Sequence, residues 1–107
     1  MELSDQSIAH LRDLLRITEE LQAEGIALYG HAYHPMSFGG FSVEFGRAHY
    51  RVLCQWDGKE SVLSISFAEP ANANAPGKWT HDANISLPGG EGLYEEIASN
   101  VHTMVAT

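Results

Sequence analysis

The sequence predicts an α+β fold, with N-terminal and C-terminal amphipathic helices packed on one face of an antiparallel sheet of four to five strands. Three observations predict it. Apolar residues recur at the helical period in the first and last segments, alternate at period two between them, and flank Asp57-Gly58, a favoured hairpin turn. The order is α-β-β-β-β-(β)-α, a two-layer sandwich, and 107 residues suffice for one domain over residues 1–107.

Residues 4–24 wind Ile8, Leu11, Leu14, Leu15, Ile17, Thr18 and Leu21 onto one side, with Asp5, Arg12, Asp13, Arg16, Glu19 and Glu20 opposite. Ser4 is placed to cap the start of this helix and Gly25 to end it in the left-handed conformation. Residues 26–34 read as a strand with Tyr29 and Tyr33 on one face. Pro35 and Gly39-Gly40 make a loop; Phe41, Val43 and Phe45 then alternate with Ser42 and Glu44 as a half-buried strand broken at Gly46.

The runs around Asp57-Gly58 predict a hairpin. With Trp56 opposite Lys59, Val52 would face Leu63 and Tyr50 would face Ile65, while Arg51 and His49 would meet Ser64 and Ser66 on the other face. Residues 70–77 are small, polar and without apolar period, which predicts a loop, and residues 84–87 allow a short strand ended by Pro88-Gly89-Gly90. The last segment places Leu93, Tyr94, Ile97, Ala98, Val101, Met104 and Val105 on one helical face.

Fourteen carboxylates against six Lys and Arg give a net charge of −8, which disfavours nucleic acid and anionic membrane surfaces as partners. The opening residues lack the basic start and apolar run of a secretory signal, no apolar stretch approaches the length of a membrane span, and the single cysteine forms no intrachain disulfide. The expectation is a cytoplasmic location.

The chemical motifs are sparse. His31 and His34 are three apart, which on a strand sends them to opposite faces, and no dense ligand spacing points to a metal; no cofactor motif is present. Cys54 is in phase with Val52 and Tyr50 and is expected to face the core as a small hydrophobe. His81-Asp82 lacks the companion ligands of a metal-dependent phosphohydrolase.

These features favour a small acidic protein-interaction module, an adaptor, chaperone-like or immunity-like protein, that binds a protein partner or itself as a homodimer. Met36, Phe38, Phe41 and Trp79 are its candidate contact anchors, and Glu19, Glu20 and Glu24 its acidic face. Self-association would use an edge strand or the outer sheet face, with Leu53, Val62, Trp56 and the tyrosines. A small enzyme or ligand-binding domain using His49, Arg51 and Ser66, and a structural subunit of a larger assembly, are the alternatives.

Overall fold

The computed structural model describes residues 5–34, 36, 38–47, 50–72 and 75–106. Helix α1 (Asp5–Ala23) is followed by strands β1 (Ala27–His34), β2 (Gly40–Arg47), β3 (Tyr50–Asp57) and β4 (Val62–Ala68). A small hairpin of β5 (Pro70–Asn72) and β6 (Ala75–Pro76) precedes β7 (Thr80–Ser86), a tight turn at Pro88–Gly90, and helix α2 (Leu93–Ala106). Five strands form one antiparallel sheet in the order β1-β2-β3-β4-β7, and both helices pack on the same face of it, giving the expected two-layer α+β arrangement.

Alternation decides which strand residues meet the helices. Phe41, Val43 and Phe45 of β2 pair with Trp56, Cys54 and Val52 of β3, which pair in turn with Leu63, Ile65 and Phe67 of β4. All but Trp56 and Phe67 are buried, beneath Leu14, Ile17 and Leu21 of α1 and Leu93, Ile97, Val101 and Val105 of α2. Cys54 lies in this core as its phase requires, and burial pushes its thiol up to about 12.

Helix α1 ends as its glycine suggests. Gly25 adopts φ +79°, its N–H donates to the Gln22 carbonyl, and the Ile26 N–H donates to the Leu21 carbonyl, with Ile26 and Leu21 both buried. Arg47 of β2 adds a cation at this negative helix end, donating to the Glu24 carbonyl at 2.7 Å. Ser4, the expected cap at the other end, lies outside the described residues.

Several expectations are corrected. The buried stripe of α1 runs through Ser7, His10, Leu14, Ile17 and Leu21, and Leu11 and Leu15, expected on it, are exposed. A bulge in β1 between Leu28 and Gly30 separates Tyr29 from Tyr33: Tyr33 pairs with Phe41 on the helix side, and Tyr29 covers Arg51 on the other. Gly46 does not break β2 but continues it, pairing with Ala27 and Arg51, and a Cβ there would collide with the Tyr50 carbonyl oxygen. The last strand begins at Thr80, earlier than expected, and residues 70–77 include the β5–β6 hairpin.

The β3–β4 hairpin keeps the expected faces, but Trp56 pairs with Leu63 and not with Lys59. Asp57 Oδ1 accepts the N–H groups of Lys59 and Glu60, and Ser61 closes the wider loop at φ +55°. Gly58 is required for a different reason from a tight turn. Its φ is not left-handed; the Phe38 carbonyl packs where a Cβ would stand.

Candidate functional site

The same approach of Phe38 to Gly58 forms one wall of a cleft of about 340 Å³ at the end of the sheet where both helices begin. Helix α1 contributes His10 and Asp13, three apart and so on one side; β1 contributes Tyr33; β3 contributes Trp56; and the first turn of α2 contributes Leu93 and Tyr94. Gly89 and Gly90, both left-handed, turn the chain from β7 into α2, and the Trp56 ring lies beside Gly90. Phe38, at φ +56°, and Ser61 are the only described residues other than glycine with positive φ, and both line this cleft. Backbone strain of this kind costs on the order of 1–3 kcal/mol and gathers at ligand clamps.

His10 is the centre of its polar chemistry. Its Nδ1 lies 2.7 Å from the Tyr94 hydroxyl and its Nε2 lies 2.8 Å from His31 Nε2. Its ring stacks on Tyr33 at 4.3 Å between centroids and meets Phe41 at 4.4 Å. A continuous chain therefore links the cleft, through Tyr94 and His10, to the exposed His31 on the edge strand.

The chain is held neutral. Burial, reinforced by His31 and opposed by Asp13, lowers His10 to about 4. Burial also lowers His31 and raises Tyr94, the latter with help from Asp13 and Tyr33. At neutral pH the formal charge in the lining is that of Asp13. The Tyr33 hydroxyl is buried with no hydrogen-bond partner among the described residues.

The residues singled out in the sequence are distributed differently. Met36 and Phe38 are 95% and 67% exposed, but Phe41 is 3% exposed and belongs to the core, where no partner reaches it. Trp79 is half-buried between β6 and β7, away from the cleft lining. Glu19 and Glu20 are exposed on the second half of α1 and Glu24 just past its end; Glu20 pairs with Arg16 at 3.7 Å and Glu24 with His102 at 3.5 Å.

The polar sheet-face patch is not assembled as expected. His49 lies outside the described residues. Arg51 is 2% exposed and held in place: it stacks on Tyr29 at 3.5 Å, lies 3.4 Å from Glu44 through an Nε that makes no hydrogen bond among the described residues, and donates to the Arg47 carbonyl. Ser66 pairs with Leu53 and His81, which places it diagonally from Arg51 on the same face, while Arg51 itself pairs with Ala68 and not with Ser64. Trp56 faces the helices, and so leaves the outer face to Leu53 and Val62. His31 and His34 do point to opposite faces, pairing with Val43 and Gly40, and no group of three metal-ligating side chains is present among the described residues.

His10 was missed because a lone histidine in an amphipathic helix reads as a polar position. The available signal was its spacing: positions 7, 10, 14, 17 and 21 form an unbroken three-four stripe only when His10 is included. No family model matches the chain, and no curated protein or solved structure is significantly similar to it.

Proposed function

We propose that the protein is a small self-associating interaction module, whose docking surface is the free edge of β1 with the exposed side of α1, and whose occupant is a second copy of the same chain. The observation that carries this reading is the distribution of exposed apolar side chains. All six large ones among the described residues, Leu11, Leu15, Leu28, Tyr29, Met36 and Phe38, fall within α1, β1 and the loop that follows. The remaining surface offers none among the described residues.

Strand β1 is at the edge of the sheet and carries no Asp, Glu, Lys or Arg, although edge strands are commonly protected by charge. The opposite edge, β7, is polar and carries Asp82. Two acidic chains repel each other over most of their surfaces, so an uncharged edge is where they can approach. Two β1 strands paired antiparallel would stand about 4.8 Å apart, which would set both α1 helices on the same face of one continuous sheet. Leu11 and Leu15, one turn apart, would meet their counterparts.

The charges of α1 offer one contact to the same arrangement: Arg12 lies in its first half and Glu19 and Glu20 in its second, so an antiparallel pair of α1 helices can set Arg12 of one copy against an acidic residue of the other. Arg12 makes no ion pair among the described residues.

Sedimentation equilibrium over a concentration series tests this. The expected result is a reversible dimer that Leu15→Glu converts to a folded monomer, since Leu15 is 58% exposed and its loss leaves the core intact. Amide exchange in β1 should slow as the protein concentration rises. A chain that stays monomeric throughout, or a dimer indifferent to Leu15→Glu with unprotected β1 amides, would overturn the reading.

A further inference from the structure

We infer that the cleft between the starts of the two helices is a binding site for a small organic cation, with an alkylammonium or quaternary ammonium head. Four aromatic side chains line it, Tyr33, Phe38, Trp56 and Tyr94. Aromatic faces attract cations through the ring quadrupole, and Trp is the strongest contributor. A volume of about 340 Å³ is at the lower end of the range of small-ligand sites.

The charge of the lining selects the sign of the ligand. It holds the Asp13 carboxylate and no Lys or Arg, and Lys59 on the adjacent loop is not part of it. Arg16 lies 3.6 Å from Asp13, but it also meets Glu20 at 3.7 Å and Glu95 at 3.0 Å, so one cation serves three carboxylates and the rim stays negative. His10 is the one lining group that would repel a cation if protonated. It is neutral at physiological pH because it is enclosed between Tyr33, Phe41, Tyr94 and His31. The net charge of −8 adds long-range attraction for any cation.

The two strained residues fit a clamp. Phe38, left-handed and 67% exposed, lines the cleft with its carbonyl packed closely on Gly58, and Ser61, also left-handed, lines it with Phe38. The lining does not include Leu11 or Leu15, so Leu15→Glu leaves the site in place; Phe38, on the loop after β1, is its one residue among the exposed apolar side chains of the proposed self-association surface.

The test is calorimetric titration of the full chain with choline and with 3,3-dimethylbutan-1-ol, its neutral isostere of nearly the same shape. Choline should bind saturably with a change in tryptophan fluorescence, and the alcohol about tenfold more weakly. Asp13→Asn and Phe38→Ala, both at solvent-accessible positions, should each weaken choline about threefold or more while circular dichroism stays unchanged. Absence of saturable choline binding would overturn the assignment. Equal affinity for the alcohol, or unaltered choline binding in both folded variants, would do the same.

Discussion

His10 Nε2 of α1 lies 2.8 Å from His31 Nε2 of β1, an imidazole pair in which one ring must donate and the other accept. The bond ties the first helix to the edge strand beside it. It also requires that at least one of the two rings be uncharged.

A pH dependence of stability follows. His10 is lowered to about 4 by burial, then by His31, with Asp13 opposing, whereas in the unfolded chain it returns to about 6.5. A depressed histidine leaves the unfolded state with more bound protons as the pH falls, so its stabilising share is complete above about pH 6.5 and is lost progressively down to about pH 4. Denaturant titrations at several pH values should show a steeper acid loss for the wild type than for His10→Gln, by at most about 1.4 kcal/mol per pH unit. Parallel slopes would refute the assignment.

Two glycines separate two reasons for lacking a side chain. Gly89 is left-handed at φ +67° with open space around it, so Gly89→Asn should cost less than about 1 kcal/mol, asparagine tolerating that conformation. Gly58 is not left-handed and abuts the Phe38 carbonyl, so Gly58→Asn should cost about 3 kcal/mol by forcing the loops apart. A primed hairpin turn at Asp57-Gly58 would have made the two costs similar, and thermal denaturation of the two variants decides between these outcomes.

The same glycine explains where sequence reasoning stopped. Alternation on each side of Asp57-Gly58 was enough to assign faces, because period two is local to a strand. Register depends on which residues the loop includes, and a glycine kept for tertiary contact is indistinguishable in sequence from one kept for a turn. Helix α2 was readable throughout, since Leu93, Ile97, Val101 and Val105 form its buried line. In α1 the hydrophobicity of Leu11 and Leu15 drew the stripe sideways, whereas Ser7 and His10 fill the buried positions. What buries His10 is Tyr94, 84 residues away, and His31 across the layer, contacts that no local pattern encodes. The cleft was invisible for the same reason, being assembled from both helices, two strands and three connecting segments.

Arg51 is the largest fully buried side chain, and it lies on the sheet face opposite the helices. Its guanidinium is enclosed by the Tyr29 ring, Glu44 and the Arg47 carbonyl. Removing the cation leaves Glu44 partly buried without its partner, so Arg51→Met should destabilise by about 3 kcal/mol. The double variant with Glu44→Gln should lose less than the sum of the two single changes, by about 1 kcal/mol or more. Additive losses would show that Arg51 acts through packing on Tyr29 alone.

Cys54 supplies an internal probe of how the sheet opens. It pairs with Val43 and Ile65 in the middle of the sheet, is fully buried, and burial pushes its thiol up to about 12. A thiol-specific disulfide reagent at pH 8 therefore has neither access nor thiolate until the structure opens. Ile17, buried above the sheet, offers a way to find out how much must open, since Ile17→Ala should cost about 2–4 kcal/mol. If labelling requires global unfolding, that substitution should speed it by about 30- to 1,000-fold, matching the loss of stability. A variant that melts earlier but labels at the wild-type rate would show that Cys54 is reached by local opening, with α1 still seated on the sheet.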